Sequence, residues 1–209
     1  RLVTGGTRVG RAAFAPTVMT DVPESAALSA EEAFAPVVVL ARVATFGDGI
    51  DAINRSKYGL QAGVFTNTLP HALAAFDRLE VGGVILFGSN VERPGQVRTV
   101  TAALHEAARA GGRPPLLVMV DQEGGAIRRF RWAPPAASAA ALGKRSVPSV
   151  RAAGRQAGRS LRALGVDVNL APVADVPAVS ASFIARQERA FGSDPARAAS
   201  RAVAFARGL

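Results

Sequence analysis

The residues best placed to do chemistry in this chain are carboxylates and arginines set beside paired glycines. Asp121-Gln122-Glu123-Gly124-Gly125 follows directly on the apolar run Leu116–Val120, with Arg128 and Arg129 shortly after it. An ionised carboxylate offers several acceptor sites, and a guanidinium donates paired hydrogen bonds, so the cluster suits a ligand rich in hydroxyl groups. The Gly124-Gly125 pair lets the backbone turn sharply and leaves room for a ring. Further on stand Asp175, Arg189 and Asp194. Structural roles remain open: Asp121 could cap a turn, and Arg189 could pair with Asp175 or Asp194. Upstream, Ser29 and Glu32 have capping-box spacing, which gives Glu32 a helix-capping role. The chain has no Cys, which removes thiolate nucleophiles, thiolate metal ligands and disulfides together. His71 and His105 are the two histidines, too few for a His-rich metal site, and both read as surface or boundary residues of helix-like stretches. No metal is expected.

These groups need elements to hold them. Thr4-Gly5-Gly6 reads as a turn and Phe14–Met19 as a strand. Asp21–Ala33 has the flavour of a helix start, Val37–Val43 is a β-branched run fit for a buried strand, and Gly49–Asn54 reads as a short helix. Ala62–Phe65 reads as another strand, and Leu69–Leu79 has helical spacing. From there the rhythm is strand, helix, strand: Gly83–Phe87, Pro94–Ala110 and Leu116–Val120. A loop follows from Asp121 to about Val147, then a helix over Pro148–Leu164 stopped by Gly165, and a strand over Val166–Leu170. A long loop, Ala171–Arg189, leads to a last helix, Asp194–Arg207, with Pro195 at its first position. Strands alternating with helices of this length predict parallel βα units.

At 209 residues with 49% apolar content the composition is that of a globular chain. The net charge of +9 is unevenly spread: residues 1–85 carry −1 and residues 86–209 carry +10. The excess is nearly all Arg, spaced singly as in Arg151, Arg155, Arg159 and Arg162, and no aromatics are interleaved to stack bases. That pattern reads as a solvated helix face, so no nucleic-acid partner is expected. No run approaches the ~18 apolar residues of a membrane helix. No membrane partner is expected, and the expected location is cytoplasmic.

Residues 1–85 carry, in order, Phe14-x-Pro16-Thr17-Val18, then Glu31-Glu32-Ala33-Phe34-Ala35-Pro36-Val37. Asn54-x-Ser56-x-Tyr58-Gly59-Leu60-Gln61-Ala62-Gly63-Val64-Phe65-Thr66 and Val81-Gly82-Gly83-Val84 complete the set. On these words the segment resembles the C-terminal part of the catalytic domain of NAD(P)-dependent aldehyde dehydrogenases. The resemblance implies that Glu32 bonds the nicotinamide ribose hydroxyls and that Phe34 packs near the nicotinamide ring. The segment departs from the family at Ala35, where a Gly is usual, and in lacking the catalytic Cys. No Gly-rich strand–turn–helix stands ready for a pyrophosphate. An oxidoreductase remnant with NAD(P) as cofactor is therefore the alternative function.

Residues 82–209 carry Gly82-Gly83-Val84-Ile85-Leu86-Phe87-x-x-Asn90, then Pro115-Leu116-Leu117-Val118 running into Asp121-Gln122-Glu123-Gly124-Gly125. Later come Gly165-Val166-Asp167-Val168-Asn169-Leu170-Ala171-Pro172-Val173-Ala174-Asp175-Val176 and Arg189-Ala190-Phe191-Gly192-Ser193-Asp194-Pro195. These words resemble the N-terminal part of glycoside hydrolase family 3, in its β-N-acetylhexosaminidase branch. The resemblance implies a TIM-type barrel, of which this chain covers about three βα units. It implies that Asp121, Arg129 and Arg189 bind the sugar in the subsite next to the scissile bond. The implied reaction is retaining hydrolysis of terminal β-linked N-acetylglucosamine, without metal or organic cofactor, on a small-molecule glycoside. In the family the Lys-His word, the acid/base His and the nucleophilic Asp follow this segment, and the chain stops at Leu209. No catalytic residue is therefore assigned, and the word around Asp175 is taken as a barrel-end structural element.

The two resemblances meet at Val81-Gly82-Gly83-Val84-Ile85, a word both families use as a buried strand. The expected architecture is α/β: an aldehyde-dehydrogenase-like α/β segment over 1–85, fused to a partial (β/α) barrel over 86–209. An incomplete barrel leaves strand edges and apolar faces uncovered unless the first segment covers them.

Overall fold

The computed structural model describes every residue except 59–61, 67, 80 and 113. The chain forms two compact units, Arg1–Thr66 and Asn67–Leu209.

The first unit holds β1 (Leu2–Thr4), β2 (Thr17–Thr20), α1 (Ala27–Ala30), β3 (Val37–Leu40) and α2 (Phe46–Asn54). The strands form one sheet in the order β1-β2-β3, antiparallel in the first pair and parallel in the second. Gly5 and Gly6 sit at φ +78° and +76°, the left-handed turn that leaves β1. Thr17 ties that turn down, its hydroxyl accepting from the Gly6 N–H at 2.8 Å and donating to the Ala15 carbonyl at 2.8 Å. A reciprocal cap starts α2: the Thr45 hydroxyl accepts from the Asp48 N–H, and the Asp48 carboxylate accepts from the Thr45 N–H. Two expectations fail here. Ser29 lies inside the single turn of α1, whose N-cap is Ala26 and whose C-cap is Glu31, so Ser29 and Glu32 form no capping box. Residues 62–65 form no strand; Phe65 is 98% exposed and has no ladder to join. The Gly59-Leu60-Gln61 part of the sequence word lies outside the described residues. Among the described residues of this unit Ile50 is the one fully buried hydrophobic side chain, so its core is thin.

The second unit runs α3 (Leu69–Leu79), β4 (Gly83–Leu86), a short 3-10 turn at Gly88–Asn90, α4 (Pro94–Ala110) and β5 (Leu117–Val120). There follow β6 (Gln122–Gly124), β7 (Ile127–Arg128), α5 (Ala139–Gly143), α6 (Val147–Arg162), β8 (Val168–Asn169), α7 (Phe183–Arg186) and α8 (Pro195–Ala206). Strands β4, β5 and β8 are parallel neighbours in that order, the βα rhythm of a barrel arc. Alternation along β5 decides its packing: Val118 and Val120 are fully buried, whereas Leu117 on the opposite face is 46% exposed. The covered face meets Val97, Leu104 and Ala108 of α4 together with Leu161, Leu164 and Phe76. Phe76 belongs to α3, and Leu73, Val81 and Val84 pack around the same core. This packing places the break between compact units after Thr66, whereas the two resemblances divide at 85/86. Helix α3, which falls within the first segment, is built into the core of the second.

A second apolar cluster joins α5, α6 and α8 through Leu142, Val150, Ala157, Ala202 and Phe205. Close approach there depends on glycine: a Cβ on Gly154 of α6 would run into the Phe205 backbone carbonyl. Gly165, at φ +76°, ends the turn after α6 as its position predicts. The stretch after Asp121 is more ordered than the expected loop. Gly124 and Gly125, at φ +107° and +58°, close a β6–β7 hairpin, and Ser138 caps α5 by accepting from the Ala141 N–H. The expected loop over 171–189 likewise contains one helical turn, α7, capped by Ser182.

Candidate active site

Asp121 stands one residue beyond the carboxyl end of β5, the edge on which barrel sites are built. Arg129 stands one residue beyond β7, and the hairpin brings the two together. Both Nε and Nη2 of Arg129 donate to Oδ2 of Asp121, at 3.3 and 3.0 Å, while the Arg129 N–H donates to the Asp121 carbonyl. Among the described residues Asp121 Oδ1 and Arg129 Nη1 take no hydrogen bond. Both side chains are about one quarter exposed, at 24% and 29%. The pair therefore presents one acceptor and one donor to a ligand. The Arg129 guanidinium lies 5.3 Å from the centre of the Phe87 ring, which steadies it over the end of β4. A cavity of about 640 Å³ opens beside it, lined by Phe87, Glu92, Arg128, Arg129, Arg131 and Trp132.

Arg189 reaches the same neighbourhood by a different route. Its Nε and Nη2 grip the two oxygens of Glu123 at 3.0 and 2.7 Å, a two-pronged pair with the carboxylate buried. The hydrogen bonds it donates to Glu123 raise the Arg189 pKa above its ordinary value, and the charges of Glu123, Asp121 and Asp175 add to the shift against burial. Arg189 is thus a fixed cation set among three carboxylates. Neither sequence candidate is its hydrogen-bonded partner: Asp194 is used as the N-cap of α8, accepting from the Arg197 N–H at 2.7 Å, and Asp175 is exposed. Glu123 was legible in principle, because period-two alternation puts Asp121 and Glu123 on one side of the chain.

Gln122, on the other side, is fully buried and organises the hairpin. Its Nε2 donates to the carbonyls of Phe130 and Ala133 at 3.0 and 2.9 Å, and its Oε1 accepts from the Phe130 N–H at 3.1 Å. Asn169 of β8 clasps the Gln122 backbone, accepting from its N–H and donating to its carbonyl. This lattice holds Asp121 and Glu123 in place on either side. His105, expected as a boundary residue, pairs with Asp167 at 2.9 Å, and the same Asp167 oxygen accepts from the Val118 N–H. That contact joins α4 to the amino-terminal ends of β5 and β8, the face opposite the Asp121 cluster.

Glu32 and Phe34 lie between α1 and β3 in the first unit, both exposed. Glu32 donates its backbone N–H to the Tyr58 hydroxyl, while the Phe34 ring is 95% exposed. Among the described residues neither side chain packs into a cleft that fits a dinucleotide. Among the described residues no group of three His, Asp or Glu is arranged to hold a metal ion.

Comparison with known proteins adds ancestry to this geometry. Residues 63–209 match the glycosyl hydrolase family 3 N-terminal domain, and residues 1–99 match the aldehyde dehydrogenase family. The matches overlap from α3 into α4, the stretch whose packing joins the second unit. A β-hexosaminidase of Pseudomonas aeruginosa is 38% identical over 133 residues, covering 62% of this chain and 38% of that protein. The chain thus spans about two fifths of the length of this relative. An aldehyde-dehydrogenase-like protein of Sinorhizobium fredii is 45% identical over 89 residues, covering 43% of this chain and 17% of that protein. The crystal structure of the β-N-acetylhexosaminidase from Beutenbergia cavernae superposes with a TM-score of 0.63 at 33% identity, over 70% of this chain and 46% of that one.

Proposed function

The chain belongs to glycosyl hydrolase family 3, and on that footing we propose that its second unit is the sugar-recognising part of a β-N-acetylhexosaminidase. Asp121, Arg129 and Arg189 hold a terminal β-linked N-acetylglucosamine in the subsite beside the scissile bond. The observation that carries this reading is the Asp121–Arg129 pair at the end of β5, which keeps Oδ1 and Nη1 for a ligand. A locally neutral pair with both an acceptor and a donor on offer suits vicinal hydroxyls better than it suits an ion. Arg189, locked by Glu123, adds a cation whose position does not depend on the ligand.

The reaction these groups serve is retaining hydrolysis, which uses a nucleophile and a proton donor on either side of the bond. Asp121, Arg129 and Arg189 are assigned neither role; they bind and orient the ring. Asp175 is likewise left without a nucleophile's role. Hydrolysis of this kind calls for no metal and no organic cofactor. The exposed Arg151, Arg155, Arg159 and Arg162 on α6 are assigned a solvation role and no nucleic acid. No helix among the described residues is long and apolar enough to cross a membrane, and a cytoplasmic site of action belongs to the same proposal.

The test is ligand-linked stability. N-acetylglucosamine should raise the unfolding midpoint of the protein in proportion to the logarithm of its concentration above Kd. Asp121→Asn should abolish the rise while unfolding at a midpoint close to that of the parent. Absence of any rise for the parent at about 100 mM sugar, some hundredfold above a millimolar Kd, refutes the assignment.

A further inference from the structure

We propose that the cavity between the β6–β7 hairpin and helices α5 and α6 is a second binding site, for an oxyanion carried on a flat ring. The cavity measures about 400 Å³, within the range of small-molecule sites. Its walls are apolar and polar in equal part, with Trp132, Pro135 and Leu142 on the apolar side and Arg128, Arg145 and Gln156 as the polar side chains. No carboxylate lines it. Nothing of the Asp121, Glu123, Arg129 and Arg189 cluster lines it, and it shares only Arg128 and Trp132 with the cavity beside Arg129.

The arginines of the two places differ in a way that selects the ligand. Arg129 and Arg189 are both neutralised by carboxylates. Arg128 and Arg145, among the described residues, have no acidic partner, and the Nε of Arg128 is buried with no hydrogen bond at all. A buried N–H donor left without a partner is costly, and no carboxylate offsets the charge of the guanidinium it belongs to. Two guanidinium groups and one carboxamide bordering one cavity are donors for carboxylate or phosphate oxygens.

Trp132 supplies the second half of the specificity. Its ring stacks on Phe130, centroids 5.6 Å apart and planes 7° from parallel, and Phe130 is fully buried. The indole is therefore fixed by its neighbour and still 39% exposed. A fixed aromatic with open area favours a flat ring beside it.

Trp132 is the one tryptophan in the chain and borders both cavities, so its fluorescence reports binding in either, and the Arg145 and Arg131 variants tell the two apart. Titration with phenyl phosphate should give a saturable change in Trp132 emission. Benzyl alcohol, which keeps the ring and loses the charge, and inorganic phosphate, which keeps the charge and loses the ring, should each bind about tenfold more weakly or worse. Arg145→Gln should weaken phenyl phosphate by about tenfold. Arg131→Gln should not, because Arg131 lines the cavity beside Phe87 and not this one. Arg145 is exposed, and an unchanged thermal midpoint will show that the variant is folded. The proposal is overturned by no saturable change, by equal binding of either partial probe, or by a loss in Arg131→Gln that Arg145→Gln does not share.

Discussion

Replacing Gln122 by Leu should cost the second unit about 3 kcal/mol and leave the shape of its core nearly unchanged. The side chain is fully buried, and leucine is close to it in volume but offers no hydrogen bond. The Phe130 carbonyl keeps a partner in the Ala133 N–H at 2.9 Å, and Pro134 is only half-buried. The groups orphaned are the Phe130 N–H and the Ala133 carbonyl, both on buried residues. Each orphan costs ~1–3 kcal/mol, and the greater hydrophobicity of leucine returns part of the sum. At ~2–4 °C per kcal/mol for a unit of this size the midpoint should fall by about 10 °C. Denaturant unfolding followed by Trp132 emission reads the effect at its source, since Trp132 stacks on Phe130. Gln122→Glu provides a check through its pH dependence. Burial raises the pKa of a carboxyl at this position above its unfolded value. Its contribution is therefore greatest below the ordinary carboxylate range and is lost as pH rises through the folded value. A leucine variant within 1 kcal/mol of the parent would refute the role given to Gln122.

Glu123→Gln should destabilise the second unit by about 2–3 kcal/mol, the low end for breaking a buried pair because Arg189 remains 23% exposed. Adding Arg189→Met should recover much of that loss in a double-mutant cycle of urea midpoints, and additive losses would count against the pairing. Gly154→Ala should cost about 1–3 kcal/mol by pushing α6 off the Phe205 carbonyl, whereas Gly95→Ala, with open space around it, should be neutral or slightly stabilising; calorimetry of the two separates them. In the first unit, hydrogen bonds from Arg55 and Lys57 hold the Glu24 and Glu31 carboxyls below their ordinary range. Their folded values lie below the unfolded ones, so their contribution is present at neutral pH and lost as pH falls through the carboxylate range. Proteolysis of residues 1–66 should accelerate on acidification, and a flat profile would count against these pairs.

How much was legible in the chain follows from the range of each interaction. The parallel strands β4, β5 and β8, the helices α3, α4, α6 and α8 and the Gly165 stop all follow from periodicity and breakers, which act over one or two turns. The β6–β7 hairpin was hidden because its glycines signal a turn without saying what pairs across it. The failed strand at 62–65 had suitable residues and no partner, and strand propensity is realised only through a neighbour.

The site divides in the same way. Sequence by itself determined that Asp121 follows a buried strand, that Arg129 and Arg189 are at hand, and that thiol chemistry is excluded by the absence of Cys. Tertiary structure alone decided the pairing, because Glu123 and Arg189 are separated by 66 positions and no local pattern links them. It also decided which unit owns α3. Phe76 is an ordinary apolar helix residue in the sequence, and only its burial in the same core cluster as Val118 and Leu104 makes it part of the barrel arc. Local chemistry is written residue by residue, whereas partners are chosen by whichever surfaces the folded chain brings out of water together.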